Sequence, residues 1–135
     1  MATTACFIIV SRNDIPIYEA EVGVAAKRED AAQLHQFILH AALDIVQDLA
    51  WTTSAMYLKS VDRFNELMVS VYVTAGHTRL MLLHDSRNDD GIKSFFQEVH
   101  ELYIKVICFF FLAHPNNMFH IYHFITFSVS YVAFS

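Results

Sequence analysis

Short apolar runs predict a pair of strands near the start of the chain. Residues 6–10 form a continuous apolar run of mostly β-branched and aromatic side chains, which is typical of a strand buried in the centre of a sheet. Asn13 and Asp14 are turn-forming residues. Residues 15–21 are therefore predicted to return as the second strand of a hairpin. Pro16 cannot donate a ladder hydrogen bond, so we expect it at the start of that strand or on its unpaired side.

Three more strands are predicted in the middle of the chain. Residues 56–61 form the first, and a polar bend at residues 62–66 follows it. Residues 67–74 alternate with a period of two, which places every second side chain on one side of the strand. That side carries Leu67, Val69, Val71 and Val73. Gly76 lies in a tight connection with His77 at its tip, and the glycine is expected to take the positive φ. Residues 79–84 return as the last strand.

A helix is predicted from about Asp30 to Leu49, and most of its circumference is apolar. Its polar residues recur at spacings of three and four and form a narrow stripe: Gln33, Gln36, His40, Asp44 and Gln47. A helix that covers one side of a sheet needs an apolar face only a little wider than ~100°. Two explanations remain open, either deep burial within the domain or a surface that contacts another protein.

A second helix is predicted from Asp89-Asp90-Gly91, with an Asp as N-cap and acidic charge at the positive end of the helix dipole. Its apolar stripe has helical spacing and consists of Ile92, Phe95, Phe96, Val99, Leu102, Tyr103 and Val106. The predicted order of elements is β-β-α-β-β-β-α. This order indicates an α+β fold with a five-stranded antiparallel sheet and helices on its faces, typical of longin-like and profilin-like domains.

Composition narrows the functional class. The 135 residues fit one domain, and a net charge of −5 without a block of Lys and Arg argues against nucleic-acid binding. Cys6 and Cys108 lie outside any CxxC pattern, so they indicate neither a disulfide framework nor a zinc site and are expected to be buried thiols in a reducing cytosol. The first residues lack the basic region of a signal peptide.

The distribution of charge divides the chain in two. Every Lys, Arg, Asp and Glu lies at or before Lys105, so we predict a domain over residues 1–105 and an uncharged apolar tail over residues 106–135. A membrane-spanning helix needs about 20 consecutive apolar residues. Residues 106–113 are too few, and residues 118–134 contain His, Ser and Thr without flanking basic residues. Poor packing of the tail is therefore favoured over membrane insertion.

Residue patterns that support catalysis are weak. His40 and Asp44 are four apart on one helical face, where an imidazole and a carboxylate can meet, but no nucleophile or oxyanion-hole motif accompanies them. His120 and His123 form an HxxH pair without an acidic or Cys partner nearby, and a metal needs three or four ligands. No P-loop, GxGxxG or GxSxG pattern is found. We therefore expect no catalytic residue, cofactor or metal.

Five ordered blocks resemble the sedlin family of subunits of the TRAPP vesicle-tethering complex, over about residues 7–105. These blocks are His35–Asp44, Met56–Glu66, Val73–His77, Leu83–Asp85 and Asp90–Phe96. The resemblance implies a longin-like fold and a non-catalytic adaptor in ER-to-Golgi transport. Its implied partners are other TRAPP subunits and, indirectly, a Rab-family GTPase. The implied location is cytoplasmic and peripheral at endoplasmic reticulum and cis-Golgi membranes, with membrane association through the complex.

The chain departs from the family after Lys105, where relatives continue with a loop and a final charged helix. An alternative transcript that replaces the usual ending is one hypothesis for this difference. Contact with partner proteins is predicted for the polar stripe of the first helix, at Gln36, His40, Asp44 and Gln47. The alternative is a tail-anchored or membrane-associated longin-domain trafficking protein, although no heptad segment precedes the tail. A small hydrolase or lyase lacks a nucleophile–base arrangement in the sequence.

Overall fold

One antiparallel sheet organises the computed structural model, which describes residues 4–23 and 29–113. The elements in chain order are β1 (Thr4–Val10), β2 (Pro16–Gly23), α1 (Glu29–Thr52), β3 (Tyr57–Phe64), β4 (Leu67–Val73), β5 (Arg79–His84) and α2 (Asp89–Ala113). The strands lie in the order β2-β1-β5-β4-β3, so β2 and β3 form the edges. This confirms the predicted β-β-α-β-β-β-α order and the α+β, longin-like class.

Both faces of β1 are buried, which explains its continuous apolar run. Cys6, Ile8 and Val10 pack with α1 on one face of the sheet, whereas Phe7 and Ile9 pack with α2 on the other. The helices thus cover opposite faces, and each buries its own hydrophobic cluster. The predicted alternation in β4 is confirmed, because every second residue from Leu67 to Val73 belongs to the cluster under α1.

The N-cap of α2 lies before the two Asp residues at which the sequence predicted it. The cap is Asn88, whose Oδ1 accepts a hydrogen bond from the Gly91 backbone N–H at 3.1 Å, so the expected Asp N-cap is wrong. Asp89 and Asp90 instead occupy the first turn, where carboxylates favour the helix dipole. The helix continues without a break from Lys105 to Ala113. A division of the chain at Lys105 therefore stays a prediction, and His120, His123 and residues 114–135 lie outside the described residues.

Two hairpin loops lie side by side at one end of the sheet. Each has three residues inside its last backbone hydrogen bond, which runs from the Ser11 N–H to the Ile15 carbonyl in one loop and from the Thr74 N–H to the Thr78 carbonyl in the other. In the β1–β2 loop the positive φ of 60° falls on Asp14, and in the β4–β5 loop a φ of 62° falls on His77. The expectation that Gly76 takes the positive φ is wrong. The His77 N–H donates to the Thr74 carbonyl and closes a turn before the left-handed residue, which is the usual arrangement of a three-residue hairpin loop.

Two elements, β3 and α1, extend beyond their predicted ends. The polar bend expected at residues 62–66 is wrong over its first part, since Asp62, Arg63 and Phe64 continue β3 and pair with β4. β3 is an edge strand, so polar side chains reach water without ending the ladder. Pairing between β3 and β4 shifts register between Leu58 and Asp62. α1 is longer than expected and ends at Thr52, one residue after Trp51.

Candidate partner-binding surface

The outer face of α1 exposes large apolar side chains. Trp51 is 86% exposed, Phe37 is 71% exposed and Leu34 is 43% exposed, whereas Leu39, Ala42 and Val46 on the inner face are fully buried. The wide apolar arc of this helix is therefore explained by exposure rather than by deep burial. Apolar surface beyond the needs of the core marks an interaction site when the side chains lie together.

Phe37, Asp44 and Trp51 follow one another at intervals of seven residues. Seven residues make almost two helical turns, so the three side chains project from nearly the same side of α1, over ~21 Å of helix axis. Asp44 is exposed between the two aromatic residues. It makes no ion pair with any side chain that the structure describes. Sequence reasoning missed Trp51, because the helix was predicted to end at Leu49.

The four predicted contact residues do not share one environment. Asp44 and Gln47 are exposed on the outer face. His40 is exposed as well, and its Nε2 lies 4.0 Å from the Glu19 carboxylate of β2, so the imidazole faces β2 rather than Asp44. Gln36 is half-buried and its Nε2 donates to the Cys6 sulfur at 3.7 Å. The predicted stripe thus contributes three exposed residues and one that faces the sheet.

Polar groups beneath α1 fix the helix to the edge of the sheet. His35 Nδ1 lies 2.6 Å from the Glu21 carboxylate, and both side chains are largely buried.

Burial, followed by the charges of Glu21 and Glu19, raises the pKa of the Cys6 thiol to about 12. Cys6 is therefore a protonated core residue rather than a nucleophile. Cys108 is exposed, so the expectation that both thiols are buried is wrong for this residue.

A buried Ser–His pair lies on the other face of the sheet and was missed in the sequence. Ser70 Oγ and His84 Nε2 are 2.8 Å apart, and Ser70 Oγ donates to the Lys59 carbonyl at 2.5 Å. A hydroxyl has one proton, so Nε2 must donate to the serine oxygen and cannot accept its proton. Both side chains are almost inaccessible, and burial lowers the pKa of His84. This geometry suits a structural link between three strands, not activation of a nucleophile.

Among residues 4–23 and 29–113, no group of three His, Cys, Asp or Glu side chains is arranged to hold a metal ion. Within the same ranges, neither helix has the length and apolar character needed to cross a membrane.

Comparison with known proteins identifies the family. The family described as Sedlin matches residues 9–128, a range that ends beyond Lys105, where we expected the resemblance to end. The chain is 49% identical over 106 residues to a probable trafficking protein particle complex subunit 2 from Drosophila melanogaster, covering 76% of each chain. It is 47% identical over 107 residues to the transport protein particle 20 kDa subunit of Schizosaccharomyces pombe, covering 77% of this chain and 79% of the relative. It is 50% identical over 103 residues to a probable trafficking protein particle complex subunit 2 from Caenorhabditis elegans, covering 73% of each. The chain therefore belongs to the sedlin family.

Proposed function

We propose that this protein is a non-catalytic adaptor subunit of a TRAPP-type vesicle-tethering complex that acts in ER-to-Golgi transport. Relatives that are about half identical are named as subunits of such a particle. In this proposal the chain is cytoplasmic and peripheral at endoplasmic reticulum and cis-Golgi membranes. It reaches a Rab-family GTPase only through the other subunits.

The observation that carries the adaptor role is the outer face of α1. Phe37 and Trp51 are exposed aromatic side chains on a helix whose other face packs against the sheet. Large aromatic residues supply much of the binding energy at protein interfaces. An aromatic pair with one carboxylate between its members offers apolar anchors and a polar contact that sets orientation. We assign other TRAPP subunits as the partners of this face, with Asp44 and Gln47 at its centre and His40 toward β2.

Co-purification with a matched control tests this assignment. Asp44→Tyr places a ring in the middle of the face, and we expect recovery of TRAPP subunits on the tagged chain to fall at least about tenfold, a change of ~1.4 kcal/mol. Glu98→Tyr is the control, since Glu98 is an exposed carboxylate on α2, on the opposite face of the sheet. Both substitutions are at the surface, so both should leave the melting temperature within about 3 °C of the wild type.

Three results would contradict parts of the proposal. Equal recovery of TRAPP subunits with both variants would exclude the α1 face as the interface. Loss of thermal stability in step with loss of binding would assign Asp44 a structural role instead. Carbonate-resistant sedimentation of the chain with membranes, without TRAPP subunits, would contradict the adaptor function and support the tail-anchored alternative.

A further inference from the structure

A groove runs beside the C-terminal end of α1, where the two hairpin loops meet the helix. Its first part is a cavity of about 240 Å³ between α1 and the loops, lined by Gln47, Trp51, Arg12 and Arg79 among others. Its second part, of about 360 Å³, continues toward the segment between α1 and β3. Ala50, Val73 and His77 line both parts. The two cavities are therefore contiguous, and together they reach the size range of known ligand sites, ~300–1,000 Å³.

The lining of the second cavity is partly apolar. Ala50, Met56, Leu58 and Val73 line it, and Met56 is more than one-third exposed. The Val73 N–H donates to the Met56 carbonyl at 2.8 Å, so a backbone hydrogen bond joins two of the lining residues. A groove of this kind suits an extended segment whose alternate side chains enter successive hollows.

The first cavity is lined by one arginine that forms no ion pair with a described residue. Arg79 is largely buried, and its guanidinium pairs with Asp14. The same guanidinium donates to the Arg12 carbonyl at 3.2 Å, which fixes the loop that carries Arg12. Arg12 itself is exposed and forms no ion pair with the residues that the structure describes. Arg12 therefore lines the groove with a guanidinium that has no carboxylate partner among the described residues.

We propose that this groove binds an extended, apolar segment of a partner protein that directs a carboxylate at Arg12. This inference rests on the adaptor function proposed above. It adds the chemistry of the partner segment that binds at the Trp51 end of the α1 face. Charge complementarity favours an acidic segment over a neutral or basic one. The apolar residues 106–135 of this chain contain no Asp or Glu, so they do not provide the matching side chain.

Trp51 makes the groove directly observable. It is the single tryptophan of the chain, and it is exposed at the wall of the first cavity. A segment that enters the groove removes water from the indole, so the tryptophan emission shifts to shorter wavelength. Because no other tryptophan contributes, the shift reports on this place alone.

Titration of the isolated full chain with three matched peptide pools tests the proposal. The peptides are blocked pentapeptides with Leu, Ile, Val or Phe at four positions and Asp, Asn or Lys at the fifth. We expect the Asp pool to shift the Trp51 emission at the lowest concentration and the Lys pool at the highest. An ion pair open to solvent has a small effect, so Arg12→Ala should weaken the Asp pool about threefold and leave the Asn pool unchanged. Arg12→Asp should reverse the preference in favour of the Lys pool.

Ala50→Phe provides a control for location. It fills the part of the groove that both cavities share, on a helix that accepts Phe without backbone strain, and it should abolish the shift with every pool. Persistent binding in this variant, no shift with any pool, or equal shifts with the Asp and Lys pools would each overturn the proposal. Light scattering that shows dimers of the free chain, lost in Ala50→Phe, would identify a second copy as the occupant and overturn it as well.

The peptide titration and the co-purification test the two proposals independently, so a negative result can be assigned to one of them. Peptide binding by the free chain does not require the complex, so a positive titration with no recovered TRAPP subunits contradicts only the adaptor function. Recovery of TRAPP subunits that is unaffected by Ala50→Phe and Arg12→Asp, together with a negative titration, contradicts only the groove.

Discussion

Ser70→Ala tests the link that joins β3, β4 and β5. The Ser70 hydroxyl accepts a hydrogen bond from the His84 N–H and donates one to the Lys59 carbonyl. It lies where the regular pairing of β3 and β4 is interrupted. Alanine leaves two groups without partners. One is a buried imidazole N–H, which costs about 1–3 kcal/mol when unsatisfied, and the other is a partly buried carbonyl, which costs about 0.5–1 kcal/mol.

The expected loss is therefore about 1.5–4 kcal/mol of the free energy of unfolding, a large share of the ~5–15 kcal/mol typical of a domain. Urea unfolding followed by far-UV circular dichroism measures it. With a slope of about 2 kcal/mol/M, the midpoint should fall by ~0.75–2 M while the slope stays unchanged. Ser94→Ala is the matched control, because Ser94 is exposed on α2 and its loss should stay within about 0.5 kcal/mol.

A double-mutant cycle with His84→Leu separates the link from simple loss of packing. Leucine removes the N–H that the serine satisfies, so Ser70→Ala in this background should cost only about 1 kcal/mol. The coupling between the two positions is then roughly 1–3 kcal/mol. Additive costs to within about 0.5 kcal/mol, or a loss for Ser70→Ala no larger than for Ser94→Ala, would refute the reasoning.

Two other predictions concern pH and the cap of α2. Burial lowers the pKa of His84 and of His100 below the usual value, so the unfolded chain binds more protons than the folded one below about pH 6.5. The free energy of unfolding should therefore be highest above that pH and fall as the pH drops toward the folded-state pKa values, by at most ~1.4 kcal/mol per pH unit for the buried His84 and by less for the more exposed His100. Melting temperatures between pH 7.5 and 5 measure this, and a slope that His84→Leu leaves unchanged would exclude a contribution from His84. Gly91→Ala should fail to give the ~1 kcal/mol gain usual for a helical glycine, because the added Cβ would lie 2.7 Å from Asn88 Nδ2 and disturb the cap. A full gain in urea unfolding would show that Asn88 adjusts without loss of its hydrogen bond.

Local patterns predicted the elements well where one period dominated. The alternation from Leu67 to Val73 and the apolar run through Cys6–Val10 identified strands, and the spacing of Ile92, Phe96 and Val99 identified α2 with its buried face. These signals succeeded because the core imposes one periodicity on each element. The prediction of the N-cap failed because no single residue stands out. Asn88 precedes two Asp residues, and all three residue types are good caps.

Side-chain roles that depend on neighbouring strands were not predictable. Ser70 and His84 are fourteen residues apart, and they meet because the register pairs Ser70 with Leu82 and so makes His84 its diagonal neighbour on the same face. Gln36 belongs to a polar stripe in the sequence yet contacts Cys6, because the helix is oriented by the larger side chains it buries. Neither contact leaves a local pattern.

The sequence by itself determined the order of elements, the α+β class and the family, because periodicity and ordered blocks are properties of neighbouring residues. It also showed that the first helix is more apolar than one sheet face requires. Only the tertiary structure decided where that excess lies. A sheet can cover one side of a helix, so Phe37 and Trp51 remain in water on the other side. The same packing places Arg12 and Trp51 in the lining of one cavity at the end of the sheet, and it thereby forms the groove to which we assign an acidic partner segment.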